Sequence, residues 1–367
     1  MKINNLDDIK SFLKEYNNKK IFIISGKKSY KLSTAEKKFK DIFHKHNVFY
    51  YFKINFYPEI NELIKIIKLI KKFKPDLILA IGGGSVIDYA KIASCYGDIK
   101  KIKNDLKKGN FNLKKITTLA VIPTTAGSGA EVTSNAVMYI DKIKYSFEGE
   151  ALIPNNFFLL PELILKNDKK LKASAGIDAI AQALESMISI KSNSKSFLYA
   201  SNSLKITLKS YINYLRKPDK HNSSLMLFGS MLAGKAINIS KTTAPHAISY
   251  PFTSIYKISH GHAVSLTLEK FLKFNFLNNH KSISNFNLKN RYEELFKLFG
   301  VKNIFEFEQE IKIIKKKAGL EDNYKKLGIN INTSYNKIIS GVNLLRLKNN
   351  PIKIEKKDLK FILLNKF

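Results

Sequence analysis

Three of the chain's seven histidines, His246, His260 and His262, fall in one stretch, Asn238 to His262, which reads NISKTTAPHAISYPFTSIYKISHGH. An apolar, aromatic run separates the first from the second. A buried imidazole must find polar partners. Backbone carbonyls can supply them, and so can a metal ion, for which neutral imidazole is a common ligand. Lys241, Thr242 and Thr243 stand just before His246. A second set of polar residues lies on the segment Ser174 to Ser189, whose Ala and Leu fall at helical spacing. Asp178 and Gln182 are four apart there and share one helix face. A carboxylate on an apolar helix calls for a cation, for strong hydrogen bonds, or for a local role as a cap.

Two glycine-rich turns offer different chemistry. Gly82-Gly83-Gly84-Ser85 follows the continuous apolar run Asp76 to Ile81, and Val86 to Tyr96 continues as a helix. Such a turn lets backbone N–H groups approach a phosphate, and the helix N-terminus adds a favourable dipole. The spacing is neither GxGxxG nor a Walker loop. A tight turn that needs glycine for backbone reasons alone is the other reading. Asp88 and Lys91 lie one turn into the helix, where a surface ion pair is the simplest arrangement. The second turn, Pro123 to Gly129, reads PTTAGSG and follows the apolar run Ile116 to Ile122. It adds Thr and Ser donors. Two such loops after two buried strands converge on the carboxyl edge of one sheet, where open α/β sheets bind nucleotides.

The elements that must position these residues follow a pattern of strands alternating with helices, which implies an α/β half. Strands are expected over Lys20–Gly26, Val48–Ile54, Asp76–Ile81, Ile116–Ile122, Val132–Ile140 and Phe157–Leu160. Lys27–Tyr30 reads as a turn, Thr34–His46 and Glu59–Phe73 as helices, and Lys100–Lys115 as an exposed basic connection. Unbroken apolar strands suggest a parallel sheet covered on both faces. From about Lys169 the pattern turns helical. Helices are expected over Ser174–Ser189, Ser194–Tyr214, Ser224–Ala236, His262–Phe274, Arg291–Leu298, Ile304–Ala318 and Asn336–Arg346, with a last one in Lys353–Phe367.

Composition narrows the function. The 367 residues are 44% hydrophobic, enough for a proper core, and suit two domains or one large one. The formal charge is +33. Nearly all of it is lysine spread along the chain, with arginine only at Arg216, Arg291 and Arg346. A reader of nucleic acid clusters its basic residues and uses arginine for bidentate contacts, so a nucleic-acid partner is not expected. The charge reads as a solvated surface that attracts anionic substrates. A single cysteine, Cys95, suggests a reducing, cytoplasmic setting. No signal peptide and no membrane span are read from the sequence.

The chain resembles the iron-containing (group III) alcohol dehydrogenases, relatives of glycerol dehydrogenase and dehydroquinate synthase. GGGSVIDYAK (Gly82–Lys91), IPTTAGSGAEVT (Ile122–Thr133), GIDAIAQALES (Gly176–Ser186) and the segment His246–Gly261 carry the resemblance, which covers nearly the whole chain. INISKTTAPHAISY and HGHAVSLTL are most similar to the phosphonoacetaldehyde reductases. The resemblance implies a Rossmann-like α/β dinucleotide-binding domain over 1–167 and an all-α metal- and substrate-binding domain over 168–367, as in dehydroquinate synthase. Gly83, Gly84, Ser85 and Asp88 match the pyrophosphate and nicotinamide loop. Thr124, Thr125, Ser128 and Thr133 match the second cofactor loop, and Lys144 a cofactor-facing lysine. Asp178, His246 and His260 match three of four metal ligands. The fourth, usually histidine, is Gln182, a weaker oxygen ligand that can ligate, orient a water, or leave an open position. Tyr250 stands where many members carry a second histidine with a proton-transfer role, and His262 is an unusual addition.

The implied activity is reduction of a small anionic aldehyde by NADPH or NADH with a divalent metal, Fe²⁺ first and Zn²⁺ or Mn²⁺ as alternatives, acting as Lewis acid. Phosphonoacetaldehyde, reduced to 2-hydroxyethylphosphonate, is the expected substrate. Asn238, Lys241, Thr242 and Thr243 then form an anchor for its phosphonate. The proton is expected from His262, from Tyr250, from a metal-bound water, or from none of these. Another aldehyde, a polyol oxidised in reverse, or a lyase-type reaction on the same scaffold are the alternatives. A homo-oligomer, a dimer, is the family's usual assembly.

Overall fold

The computed structural model describes residues 3–109, 111–141 and 143–364. The chain divides into two compact units, Met1–Asn167 with Asp219–Met231, and Asp168–Pro218 with Leu232–Phe367. The described strands are β1 (Lys20–Gly26), β2 (Asn47–Lys53), β3 (Leu77–Gly82), β4 (Thr118–Pro123), β5 (Asn135–Ile140), β6 (Ile143–Glu148) and β7 (Asn156–Phe157). Five of them form a parallel sheet in the order β2-β1-β3-β4-β7, while β5 and β6 pair as an antiparallel hairpin.

The sheet explains its own sequence. Ile21 and Ile23 of β1 and Leu77, Leu79 and Ile81 of β3 face one core, with helices α1 (Leu6–Lys14), α2 (Lys27–Leu32) and α3 (Ala35–Phe43). Phe22, Ile24, Ile78 and Ala80 face the other, with α4 (Ile60–Phe73), α5 (Gly84–Ala93) and α6 (Ile102–Lys108). Both faces are covered, so no strand position is left to alternate with polar residues. The chain order reverses between β1 and β3. Crevices at the carboxyl ends of strands flanking such a reversal are where doubly wound sheets bind ligands.

The second unit is helical: α7 (Lys169–Ile188), α8 (Ser194–Arg216), α9 (Lys220–Ser240, whose first half belongs to the other unit), α10 (Ala244–Tyr256), α11 (His260–Ser265), α12 (Leu268–Leu277), α13 (Leu288–Phe299), α14 (Ile304–Ala318), α15 (Ile331–Ser340), α16 (Leu344–Leu347) and α17 (Lys356–Leu363). The architecture is thus an α/β unit with a parallel sheet and a helical unit.

Several local expectations are corrected. Lys27–Tyr30 is not a turn but most of α2, which buries Tyr30. The basic connection Lys100–Lys115 contains α6, because Ile102 and Leu106 reach the core. Val132–Ile140 is extended only from Asn135, after a 3-10 turn at Ala130–Val132. The helix expected over Asn336–Arg346 breaks between α15 and α16 at Gly341, which lies against Pro251. The last helix covers Lys356–Leu363, and residues 365–367 lie outside the described residues. No described helix is long and apolar enough to cross a membrane.

Candidate active site

Each glycine-rich turn leaves the carboxyl end of a strand, and the two strands are neighbours in register, Gly82 opposite Pro123. The Thr124 N–H donates to the Gly82 carbonyl at 3.0 Å. The turns touch closely. A Cβ on Gly83 would stand 3.3 Å from Thr125 Oγ1, and one on Gly84 3.0 Å from Ser128 Oγ. A Cβ on Gly82 would meet the Val86 side chain at 2.6 Å, so glycine there lets α5 start directly behind β3. Gly83, Gly84, Ser85, Thr125 and Ser128 remain partly exposed, and Thr124 is buried. Its carbonyl accepts from Asn167 Nδ2 at 2.7 Å. The result is one continuous rim of small residues at the N-terminus of α5, suited to a phosphate.

A buried ionic cluster sits behind that rim. Lys91 is fully buried and not a surface partner of Asp88. Its ammonium donates to Thr133 Oγ1 and to the Thr133 and Asn135 carbonyls at 2.8–3.0 Å. Burial pulls the Lys91 pKa down, with Asp88 and Glu131 opposing. Burial likewise pushes the Asp88 carboxyl up, against Lys91, the Val137 N–H and Lys144. Burial also raises Glu131, to about 7. These contacts tie α5 to the chain beyond the second loop and bring Asp88, Thr133 and Lys144 into one neighbourhood. The sequence hides the cluster, because one more lysine in a lysine-rich chain carries no signal of burial.

The second set of residues is built on α7, α10 and α11. Asp178 and Gln182 project from the middle of α7, and His246 from the first turn of α10, after Pro245 at its start. His260 is the first residue of α11. Gly261 allows the close approach: a Cβ there would lie 1.9 Å from the Ser174 carbonyl and 2.7 Å from Asp178 Cβ. The His262 N–H adds a 3.2 Å bond to Ser174 Oγ. Asp178, His246 and His260 each offer a ligand atom, all within 4.8 Å of one another. The His246 and His260 ring centres are 5.4 Å apart.

The donor set fits a divalent cation. Nε2 of His246 is buried without a hydrogen bond and stands 3.3 Å from Asp178 Oδ1. Its Nδ1 contacts the fully buried Glu185. Burial disfavours charge on this ring, yet the Glu185 and Asp178 carboxylates outweigh it and push the His246 pKa up to about 10. Surroundings that draw a proton so strongly also favour a metal cation, since buried carboxylates need compensation. Two imidazoles and one carboxylate with open positions is the donor set of non-haem Fe²⁺ sites.

Gln182 Nε2 donates to Asp178 Oδ2 at 3.2 Å. The amide thus orients the carboxylate, and its oxygen is buried beside it. Tyr250 lies one turn beyond His246 in α10, its ring centre 6.3 Å from that of His260. His262 points elsewhere, with Nε2 2.8 Å from the Glu321 carbonyl. That nitrogen therefore carries a proton held by a backbone acceptor, which fits a clasp better than a proton donor. Thr243 is also committed, since its N–H and hydroxyl both donate to Glu185 Oε2, at 2.7 and 2.9 Å. It supports His246 rather than offering a proton to a substrate. Asn238 and Lys241 are partly buried around the end of α9, where Lys241 adopts φ 59 and turns the chain toward α10. Thr242 is buried and its carbonyl accepts from Asn349. Glu185 was not anticipated. Its signal was the spacing Asp178, Gln182, Glu185, which puts three polar side chains on one face of an apolar helix.

Residues 1–161 match the family profile described as iron-containing alcohol dehydrogenase, and residues 172–367 match that of the family's C-terminal part. The chain belongs to the iron-containing alcohol dehydrogenase family. Among curated family members it is 31% identical over 222 residues to 4-hydroxybutyrate dehydrogenase of Clostridium kluyveri, covering 59% of each chain. It is 29% identical over 216 residues to phosphonoacetaldehyde reductase of Streptomyces viridochromogenes, covering 56% of this chain and 55% of that one. The matches thus span little more than half the length of these relatives. Sulfoacetaldehyde reductase of Bifidobacterium kashiwanohense, solved with NAD⁺, shares the fold with a TM-score of 0.86 at 23% identity, over 99% of this chain and 95% of that one.

Proposed function

We propose that this member of the iron-containing alcohol dehydrogenase family reduces a small anionic aldehyde to its alcohol with NAD(P)H and a divalent metal, Fe²⁺ first. Phosphonoacetaldehyde, giving 2-hydroxyethylphosphonate, is the substrate the motifs favour. The observation that carries the reading is the cluster of Asp178, His246 and His260 ligand atoms within 4.8 Å. When bound, the metal would supply Lewis-acid polarisation of a carbonyl and the reduced nicotinamide a hydride. Asp178, His246 and His260 hold the metal, and Gln182 keeps the Asp178 carboxylate turned toward it. Gly83, Gly84, Ser85, Thr125 and Ser128 receive the cofactor's phosphates on backbone N–H groups and hydroxyls. Asp88 and Lys144 line the same cofactor site, and Thr133, buried against Lys91, supports it from behind. Lys27 and Lys28 follow β1 without an acidic neighbour up to Ser29, which favours the 2′-phosphate of NADPH. Tyr250, beside His260, donates the proton to the nascent alkoxide.

Substrate choice falls to Lys241 and Asn238. Their segment leads directly into the helix that carries His246, and an ammonium there recognises an anionic tail as a point charge. Relatives named for phosphonoacetaldehyde and for 4-hydroxybutyrate both support a substrate with an anion at one end. Lys241→Ala is expected to raise KM for phosphonoacetaldehyde by roughly tenfold or more, equivalent to about 1.4 kcal/mol. KM for propionaldehyde should barely change. Steady-state kinetics on both, and on the aldehyde of 4-hydroxybutyrate, checks this. Equal losses on charged and neutral aldehydes would remove the anchor. Preference for the carboxylate aldehyde would keep the anchor and change the substrate.

A further inference from the structure

We infer that Glu185 is a positioning residue that holds His246 in the tautomer able to bind a metal. The inference rests on the metal reading above. Glu185 lies seven residues after Asp178 on α7 and is completely buried. Each of its oxygens has a separate task. Oε1 meets Nδ1 of His246, and Oε2 accepts both the Thr243 N–H at 2.7 Å and its hydroxyl at 2.9 Å. Bonds on both sides prevent the carboxylate from turning. Oε2 already takes two donors, and Oε1 is in hydrogen-bond contact with the ring, so Nδ1 is the donor of that contact. With Nδ1–H committed to Glu185, Nε2, the atom that stands 3.3 Å from Asp178, is where a metal would take the lone pair in place of the ring's second proton. A partner of this kind fixes both the tautomer and the orientation of a ligating ring.

Thr243 anchors the arrangement at the entry to α10, two residues before Pro245 and three before His246. The fixed start of α10 and the fixed carboxylate together set where Nε2 points. A purely structural tie between α7 and α10 would stabilise the fold but leave metal affinity unchanged. That difference makes the inference testable.

Glu185→Gln keeps the size of the side chain and removes the acceptor-only character. An amide N–H₂ turned toward His246 forces the proton onto Nε2, and one turned toward Thr243 faces two donors. Co²⁺ serves as the probe, titrated into metal-free full-length protein and read by its visible spectrum and by competition with a chelator. Glu185→Gln is expected to weaken Co²⁺ binding by about 10- to 100-fold and to alter the visible band. NADPH affinity, read by fluorescence, should stay within about twofold, an outcome the loop geometry requires because Glu185 is no part of that rim. Thr243→Val removes one bond to Oε2 and should weaken Co²⁺ binding in the same direction by less. Wild-type affinity and spectrum in folded Glu185→Gln would overturn the inference. If that variant does not fold, unchanged Co²⁺ affinity in Thr243→Val overturns it instead. Failure of the wild-type protein to bind Co²⁺ at all would overturn the metal reading itself, and the role of Glu185 with it.

Discussion

Tyr250 and His262 compete for one role, and their contacts separate them. The His262 Nε2–H donates to the Glu321 carbonyl, while Tyr250 sits beside His260 on the helix that bears His246. Tyr250→Phe keeps the ring and removes the proton. General-acid groups contribute typically 10²–10⁴-fold, so kcat is expected to fall by roughly 10²-fold with metal content unchanged. Stopped-flow measurement of NADPH oxidation checks this, and an unchanged rate would return the proton to solvent. At this scale the candidate metal cluster was legible because Asp178, His246 and His260 sit inside long recognisable motifs. The supports were not legible. Glu185 lies within one of the quoted motifs, but only the fold shows that it reaches His246. Thr243 reads from the sequence as a substrate donor, while in the structure its hydroxyl donates to Glu185.

Helix α11 is the element on which the candidate metal cluster depends. It presents His260 only because Gly261 lets it rest directly on α7, with no room for a Cβ against the Ser174 carbonyl. Gly261→Ala is therefore expected to push α11 away from α7, costing about 1–3 kcal/mol of stability by overpacking. Chemical denaturation measures the loss, and Co²⁺ affinity should fall with it as His260 moves. Unchanged stability would mean that the helices part without strain. Elements with strong local signals were legible from sequence: β1, β3 and β4 as unbroken apolar runs, and α4, α7 and α14 by periodicity. Helix α10 was not, because Pro251 and a run of aromatics obscure its period, and tertiary packing decides it. Short helices such as α6, and the hairpin strand β6, were missed for the same reason.

Over the whole molecule, two compact units divide the chemistry. The α/β unit carries the rim of small residues, and the helical unit carries the candidate metal cluster and the proposed anchor. The formal charge of +33 is spread over both as lysine, and such a field draws small anions more than it recognises any one of them. Selectivity therefore has to come from a local contact, which is the part assigned to Lys241. The measurement that tests this account most directly is NADPH oxidation with phosphonoacetaldehyde by metal-stripped protein, with and without added Fe²⁺. The account predicts turnover that is lost on stripping and restored by Fe²⁺, and that stays lost when His246 is replaced by alanine. Full turnover without metal, or with His246→Ala, would contradict it.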